Sequence, residues 1–379
     1  MCACATANPN PNQIALIREG NWSNSAITWP DFLRLAEHHG VLPLAARNLT
    51  LHARGLPPEI AQSLHAAYEE NLRRNLWFAA ELTRIVRHFE EQQLRTLPYK
   101  GPVLANSAYG DLGLRSFNDL DLLISPADFP RAKHALGQLG YRPSKELAIG
   151  VERLWLRTGY ERSFDGVAGK NLVELQWNLL PYFYAVDPGS ADFKFDDLLA
   201  RSTCIDLGVG KVPCLSPEDS LLVLCLHASK HLWSRLIWVA DIAEGLRMPG
   251  IDVAKVISRA RALGSARILG VSLWLAEHLL DAPIPPTARQ LVDDRESQSL
   301  AEDYAARLAS SATYDFESVE YFRQILKLRE RSSDRGRYLW RLVWTPGPGE
   351  IAAIRLPEIM FPLYRGVRIG RLLRKLIQH

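Results

Sequence analysis

Apolar positions recur at helical spacing through roughly the first 95 residues, give way to short strand-like runs, and return to helical spacing beyond residue 215. Thr28-Trp29-Pro30-Asp31 reads as a helix start, with proline near the first turn and an acid behind it, and Phe32, Leu35 and Ala36 carry the stripe onward. Gly40 and Pro43 interrupt it before a second short helix to about His52. Pro57-Pro58 opens the longest pattern, in which Ile60, Leu64, Ala67, Leu72, Leu76, Ala79, Leu82, Ile85, Val86 and Phe89 keep helical spacing to about Gln93. This predicts an N-terminal helical domain over 13–95. Residues 1–12, rich in Asn and Pro, are expected to be mobile.

The next stretch predicts an α+β core over 96–214. Leu97–Lys100 is a strand, 102–109 a short helix, 119–125 a strand closed by Pro126, and Pro126–Leu139 a helix stopped by Gly140. Arg153–Thr158 and Tyr160–Phe164 read as paired strands, and Asn171–Trp177 as a clear one. Ser216-Pro217-Glu218-Asp219 is an N-cap signature. Helices follow at 217–232, 235–247, 252–263 and 265–280, with more to about Arg329, giving a C-terminal helical domain over 215–330. A basic extension, 331–379, holds a loop at 345–349 and a short amphipathic segment at 366–377. Its Trp340, Trp344, Leu and Ile residues are expected to pack on the helical domain.

Composition changes this picture little: 47% hydrophobic and 23% charged residues are those of an ordinary globular chain. The net charge of +3 is too small to imply nucleic acid, but it is unevenly spread. From Val319 to His379, 13 Lys and Arg stand against 5 Asp and Glu. That segment suits an acidic peptide, an anionic membrane surface or RNA, and RNA is disfavoured because no aromatic-interleaved basic ribbon accompanies it. No apolar run is long enough to predict a transmembrane helix, and the N-terminus lacks a signal-peptide pattern. Five cysteines without zinc-type spacing fit a reducing cytoplasm. Cys204 and Cys214 flank a hairpin-like Asp206–Gly210, which leaves a facing pair open, and two incidental thiols are the favoured reading.

The candidate chemistry centres on Asp119 and Asp121. On one strand they share a face, with Cα atoms about 6.5–7 Å apart. Two acids in a strand this apolar repel each other and lose hydration, and a divalent cation, Mg²⁺ or Mn²⁺, relieves both penalties. Glu174 shares a strand face with Leu172 and Gln176 and completes a triad if its strand pairs beside the first. Lys100-Gly101 joins a strand to a short helix, a junction that offers an anion backbone N–H groups and close approach. Arg115, in the loop entering the acidic strand, is read either as a phosphate ligand or as a surface partner of Asp111. His227 and His231 lie at i, i+4 on a helix; zinc is disfavoured there because no HExxH arrangement and no third ligand accompany them. Lys230 suits a triphosphate, and His227 and His231 suit nucleotide or acceptor contacts. Asp241, among apolar neighbours, is expected to pair with Arg235, Lys230 or a histidine.

Lys100-Gly101, Tyr109, Arg115, Asp119-Leu120-Asp121-Leu122-Leu123, Glu174-Leu175-Gln176-Trp177 and the 227–242 segment together resemble the DNA-polymerase-β-like nucleotidyltransferase superfamily, in particular its poorly characterised bacterial branch. The resemblance implies a small mixed sheet flanked by helical domains. It also implies that Asp119, Asp121 and Glu174 ligate the metals, with Glu174 helping to deprotonate the acceptor. Two positions depart from the family pattern: Gly101 is followed by Pro102 rather than Ser or Gly, and Gln176 stands where His is common. Relatives often accompany peptide or polysaccharide tailoring, so the expected reaction is NMP transfer, AMP from ATP foremost, to a small-molecule, peptide or protein acceptor. The alternatives are a toxin-type nucleotidyltransferase acting on tRNA or protein, a sugar-nucleotide glycosyltransferase, which the helical first 95 residues disfavour, and a degenerate core used for binding.

Overall fold

A computed structural model describes residues 1–20, 28–184, 193–310, 315, 318–347, 350, 351, 354 and 356–377. Helices α1 (Pro11–Glu19), α2 (Trp29–His38) and α3 (Leu42–His52) precede α4 (Pro58–Glu91). The 34 residues of α4 make it about 51 Å long. The core follows as β1 (Thr96–Pro98), α5 (Gly101–Ser107), β2 (Leu120–Ile124), α6 (Phe129–Gln138), β3 (Arg142–Pro143), α7 (Ile149–Thr158), β4 (Glu161–Gly166) and β5 (Gly169–Gln176). After α8 (Phe195–Ala200) comes a separate hairpin of β6 (Thr203–Asp206) and β7 (Lys211–Cys214). Helices α9 (Pro217–Lys230), α10 (Leu236–Leu246), α11 (Val253–Ala262), α12 (Ala266–Leu280), α13 (Arg289–Val292), α14 (Arg295–Ala309), α15 (Val319–Lys327), α16 (Ser332–Trp344) and α17 (Tyr364–Ile377) complete the chain.

The main sheet runs β1-β2-β5-β4-β3, with β2 and β5 parallel and the other neighbours antiparallel. Strand alternation sends β2 into two interiors at once. Leu120, Leu122 and Ile124 enter a core formed with Phe78–Phe89 of α4, with α6 and with Val173 and Leu175 of β5, whereas Leu123 joins a larger core. In that larger core α2, α3 and the start of α4 pack with α9–α15, so the first and last helical segments share one interior.

Two expectations are corrected. Residues 1–7 are packed rather than loose: Glu244 accepts from the Thr6 hydroxyl (2.7 Å) and the Ala7 N–H (3.0 Å), Asn48 donates to the carbonyls of Cys4 and Thr6, and Cys4, Ala5 and Ala7 are buried. Residues 153–158 belong to helix α7, not to a strand. Leu154-Trp155-Leu156 is too short a run to set a period, and Glu152 anchors the helix by pairing with Lys133 of α6 (2.8 Å) and Arg162 of β4 (3.1 Å). Cys204 and Cys214, by contrast, are free thiols as favoured: the hairpin register sets Cys214 against Thr203 and Cys204 against Pro213.

Candidate active site

The β2–β5 register pairs Asp121 with Glu174, and on the other flank of β5 Ser163 pairs with Glu174 and Glu161 with Gln176. Residues paired across neighbouring strands share a face, so Asp121, Glu174, Gln176 and Glu161 come together, with Asp119 at the entrance to β2. Lys100 closes the group from the β1–α5 turn. Its ammonium lies 3.0 Å from Asp121 Oδ1, and both side chains are buried. Gly101 makes that turn possible. Its φ is +54°, and a Cβ there would stand 3.3 Å from the Asp119 carbonyl oxygen.

Gln176 ties the acids together. Its Nε2 donates to Asp121 Oδ1 at 2.9 Å and stands 3.3 Å from both Glu161 Oε2 and Glu174 Oε2, while its Oε1 accepts from the Tyr99 hydroxyl. Burial, then Asp121, Glu161 and Asp119, raise the Glu174 carboxyl to about 8. Burial and Asp121 raise Asp119 to about 6, against the pull of Lys100 and Arg115. Burial would lower the Lys100 ammonium, but Asp121, Asp119 and Glu174 outweigh it and raise the group.

Lys100, Asp119, Asp121, Glu161 and Glu174 line one wall of a cavity of about 900 Å³. The opposite wall comes from α9 and α10. After α9, Leu232 and Trp233 both adopt left-handed backbone (φ +50° and +47°), a conformation costing about 1–2 kcal/mol per residue. The fully buried Trp233 secures this turn through its N–H to the Ala228 carbonyl (2.9 Å) and its indole N–H to Ser272 (3.2 Å). The reversal lays Trp238 on His231, with ring centres 4.6 Å apart and planes 25° apart, and His227 lies 4.8 Å from His231. Burial and the nearby Lys100 and Lys230 hold both imidazoles well below their ordinary range, so they are neutral at pH 7. Lys230 donates to the Tyr160 hydroxyl at 3.1 Å.

Asp119, Asp121, Glu174, Lys100, Arg115, His227, Lys230 and His231 therefore border a single cavity. Gly101 lies beneath it in the turn. Asp241 stands behind the wall, and its expected partners are replaced: Arg115 grips it in a two-pronged ion pair (Nε–Oδ1 2.7 Å, Nη2–Oδ2 2.9 Å), and the Tyr109 hydroxyl donates to it at 2.7 Å. Arg115 is thus buried and not the surface partner of Asp111, which takes the Tyr68 hydroxyl and the Gly113 N–H instead. The pair uses one edge of the guanidinium, Nε with Nη2, and Arg115 also lines the cavity. Sequence reasoning missed Glu161, Tyr99, Tyr160 and Trp238. Glu161 was legible in principle, two positions before Ser163 on a strand, but only with the β4–β5 register in hand.

Among the described residues, no group of three or more His, Cys, Asp or Glu side chains is arranged to hold a metal ion as it stands. The chemistry of the donors does fit a hard divalent cation. They are carboxylates, they destabilise one another, and the buried Asp121 Oδ2 lacks a hydrogen-bond partner.

No helix among the described residues is long and apolar enough to cross a membrane. No curated protein and no solved structure matches the chain. A family model described as uncharacterised nucleotidyltransferase matches residues 25–281, which take in α2 to α12 and every side chain of the cavity's acidic wall. The chain belongs to that nucleotidyltransferase family.

Proposed function

We propose that the chain moves a nucleoside monophosphate, AMP from ATP foremost, onto a hydroxyl or phosphate of a small-molecule or peptide acceptor and releases pyrophosphate. The observation that carries this reading is the shared face of Asp121, Glu174 and Asp119 beside the buried Lys100, opening onto a cavity that is also lined by Lys230, His227 and His231. Asp119, Asp121 and Glu174 would hold Mg²⁺ or Mn²⁺, which when bound offsets phosphate charge and lowers the pKa of an attacking oxygen. The acceptor oxygen attacks the α-phosphorus, the bond to the bridging oxygen breaks, and pyrophosphate leaves with the electron pair. Glu174, ionised when the cation is bound, takes the acceptor proton. Lys230 and the Asp241-oriented Arg115 offset charge on the phosphates. Lys100, already the counter-ion of Asp121, keeps that acid in place between turnovers.

The test is incubation with each α-labelled NTP, Mg²⁺ and cell extract. Label from ATP should appear in a small or peptidic acceptor with matching pyrophosphate. Asp121→Asn should lower transfer by about three orders of magnitude with its circular dichroism unchanged. Full activity in that variant refutes the site. Label in tRNA or protein indicates the toxin-type reaction, sugar-nucleotide turnover a glycosyltransferase, and failure to bind any nucleotide a binding protein.

A further inference from the structure

The sequence led us to expect Trp340 and Trp344 against the helical domain, but they are 64% and 39% exposed. They stack on each other with ring centres 5.2 Å apart, and the Arg365 guanidinium lies 5.6 Å from the Trp344 ring. Among the described residues, eight of the sixteen large apolar side chains left exposed fall between Leu339 and Leu363. Such crowding on one short stretch is not the scatter of an ordinary surface. On the tight Glu358–Leu363 turn that leads into α17, Ile359 is 89% exposed and Leu363 53% exposed.

The charge of this face is net positive, since basic residues outnumber acids from Val319 onward. Of the five acids between Val319 and His379, Glu358 is exposed at the start of the turn, whereas Glu350 and Asp334 are buried, with Glu350 held by Arg368 and Arg371. Glu320 is bonded to Arg307 and Gln324, and Glu330 accepts the Arg267 N–H. Arg365 and Arg374 remain exposed on α17. Paired tryptophans, protruding Ile and Leu, and exposed arginines on an amphipathic helix are the composition of a surface that lies in a lipid headgroup layer. A second copy of the chain would bring the same positive charge against itself, and a purely acidic partner would leave the apolar turn unused. Negative charge above an apolar layer satisfies both halves.

We infer that α16, the Glu358–Leu363 turn and α17 form a docking face for the surface of an anionic membrane. The face lies against the catalytic region, because Thr345, Pro346, Gly347 and Arg368 border the same cavity as Asp121. The experiment is co-sedimentation of the full chain with sucrose-loaded vesicles of phosphatidylcholine alone or with 30 mol% phosphatidylglycerol. Binding should be at least about tenfold tighter to the anionic vesicles, should weaken in high salt, and should shift tryptophan emission to the blue. Ile359→Asp with Leu363→Asp, and separately Arg365→Glu with Arg374→Glu, should each lose about tenfold or more while melting like the parent. Equal binding to both vesicles, no binding to either, or binding unchanged in both variants overturns the proposal. So does self-association, read by sedimentation velocity, that the Ile359/Leu363 variant abolishes, or tight binding to polyglutamate without vesicle binding.

Discussion

Gln176 shows how one residue governs a cluster of acids. Its amide gives one hydrogen bond to Asp121 and reaches Glu161 and Glu174, so removing it takes an N–H from three carboxylates and leaves Asp121 with Lys100. Gln176→Leu should lower nucleotidyl transfer about 10–100-fold with the fold intact, whereas Gln176→His, which restores a ring N–H donor, should stay within about tenfold of the parent; pyrophosphate release rates check both. Glu174 makes a second prediction. Its carboxyl is raised to about 8 in the folded protein, whereas an unfolded Glu ionises near 4.3, so between roughly pH 5 and 8 the native state holds a proton that the unfolded chain has lost. In chelator, stability should therefore fall as pH rises through that window, and Glu174→Gln should flatten the slope. Thermal melts measure this, and a rising slope would refute it. The three acids were legible because an acid flanked by Leu or Val in a strand stands out. The roles of Gln176 and Glu161 were not, because they depend on which strands become neighbours.

Among the elements, the loop before β2 is fixed to α10 through Arg115 and Asp241. Both side chains are buried, so breaking the pair strands a charge. Arg115→Met or Asp241→Asn should each cost about 3–5 kcal/mol in urea unfolding, and the double variant should cost less than their sum. Gly101→Ala should also destabilise, by about 1–2 kcal/mol, since alanine resists a φ of +54° and its methyl would press on the Asp119 carbonyl. Most helices were readable from long stripes and caps, as the Ser216 side chain accepting the Asp219 N–H shows for α9. Helix α7 was not, because three consecutive apolar residues satisfy either period and the ion pairs of Glu152 settle the matter. The pairing of Asp241 escaped for a related reason. Its partner lies 126 residues away, and sequence proximity favoured Arg235 and Lys230 instead.

In the whole molecule, the first seven residues are built into the helical core through Glu244, which is buried and paired to Arg247. Deleting residues 1–9 strips two donors from that carboxylate and removes the buried Cys4, Ala5 and Ala7 from the core, so the urea midpoint should drop by the equivalent of about 2–4 kcal/mol. Composition favoured a loose tail because Asn and Pro are common there; the buried acid that captures it lies 238 positions further on. The order of helical, mixed and helical stretches was readable from periodicity alone, but the merging of the first and last into one interior was not. Strand β2 faces that interior with Leu123 and the other with Leu120, Leu122 and Ile124, like a party wall between two houses. Neither house can fall while the other stands, so heat should dismantle the chain in a single transition. A nucleotide resting on Asp121 leans on the wall itself and should raise that one melting temperature for both sides together.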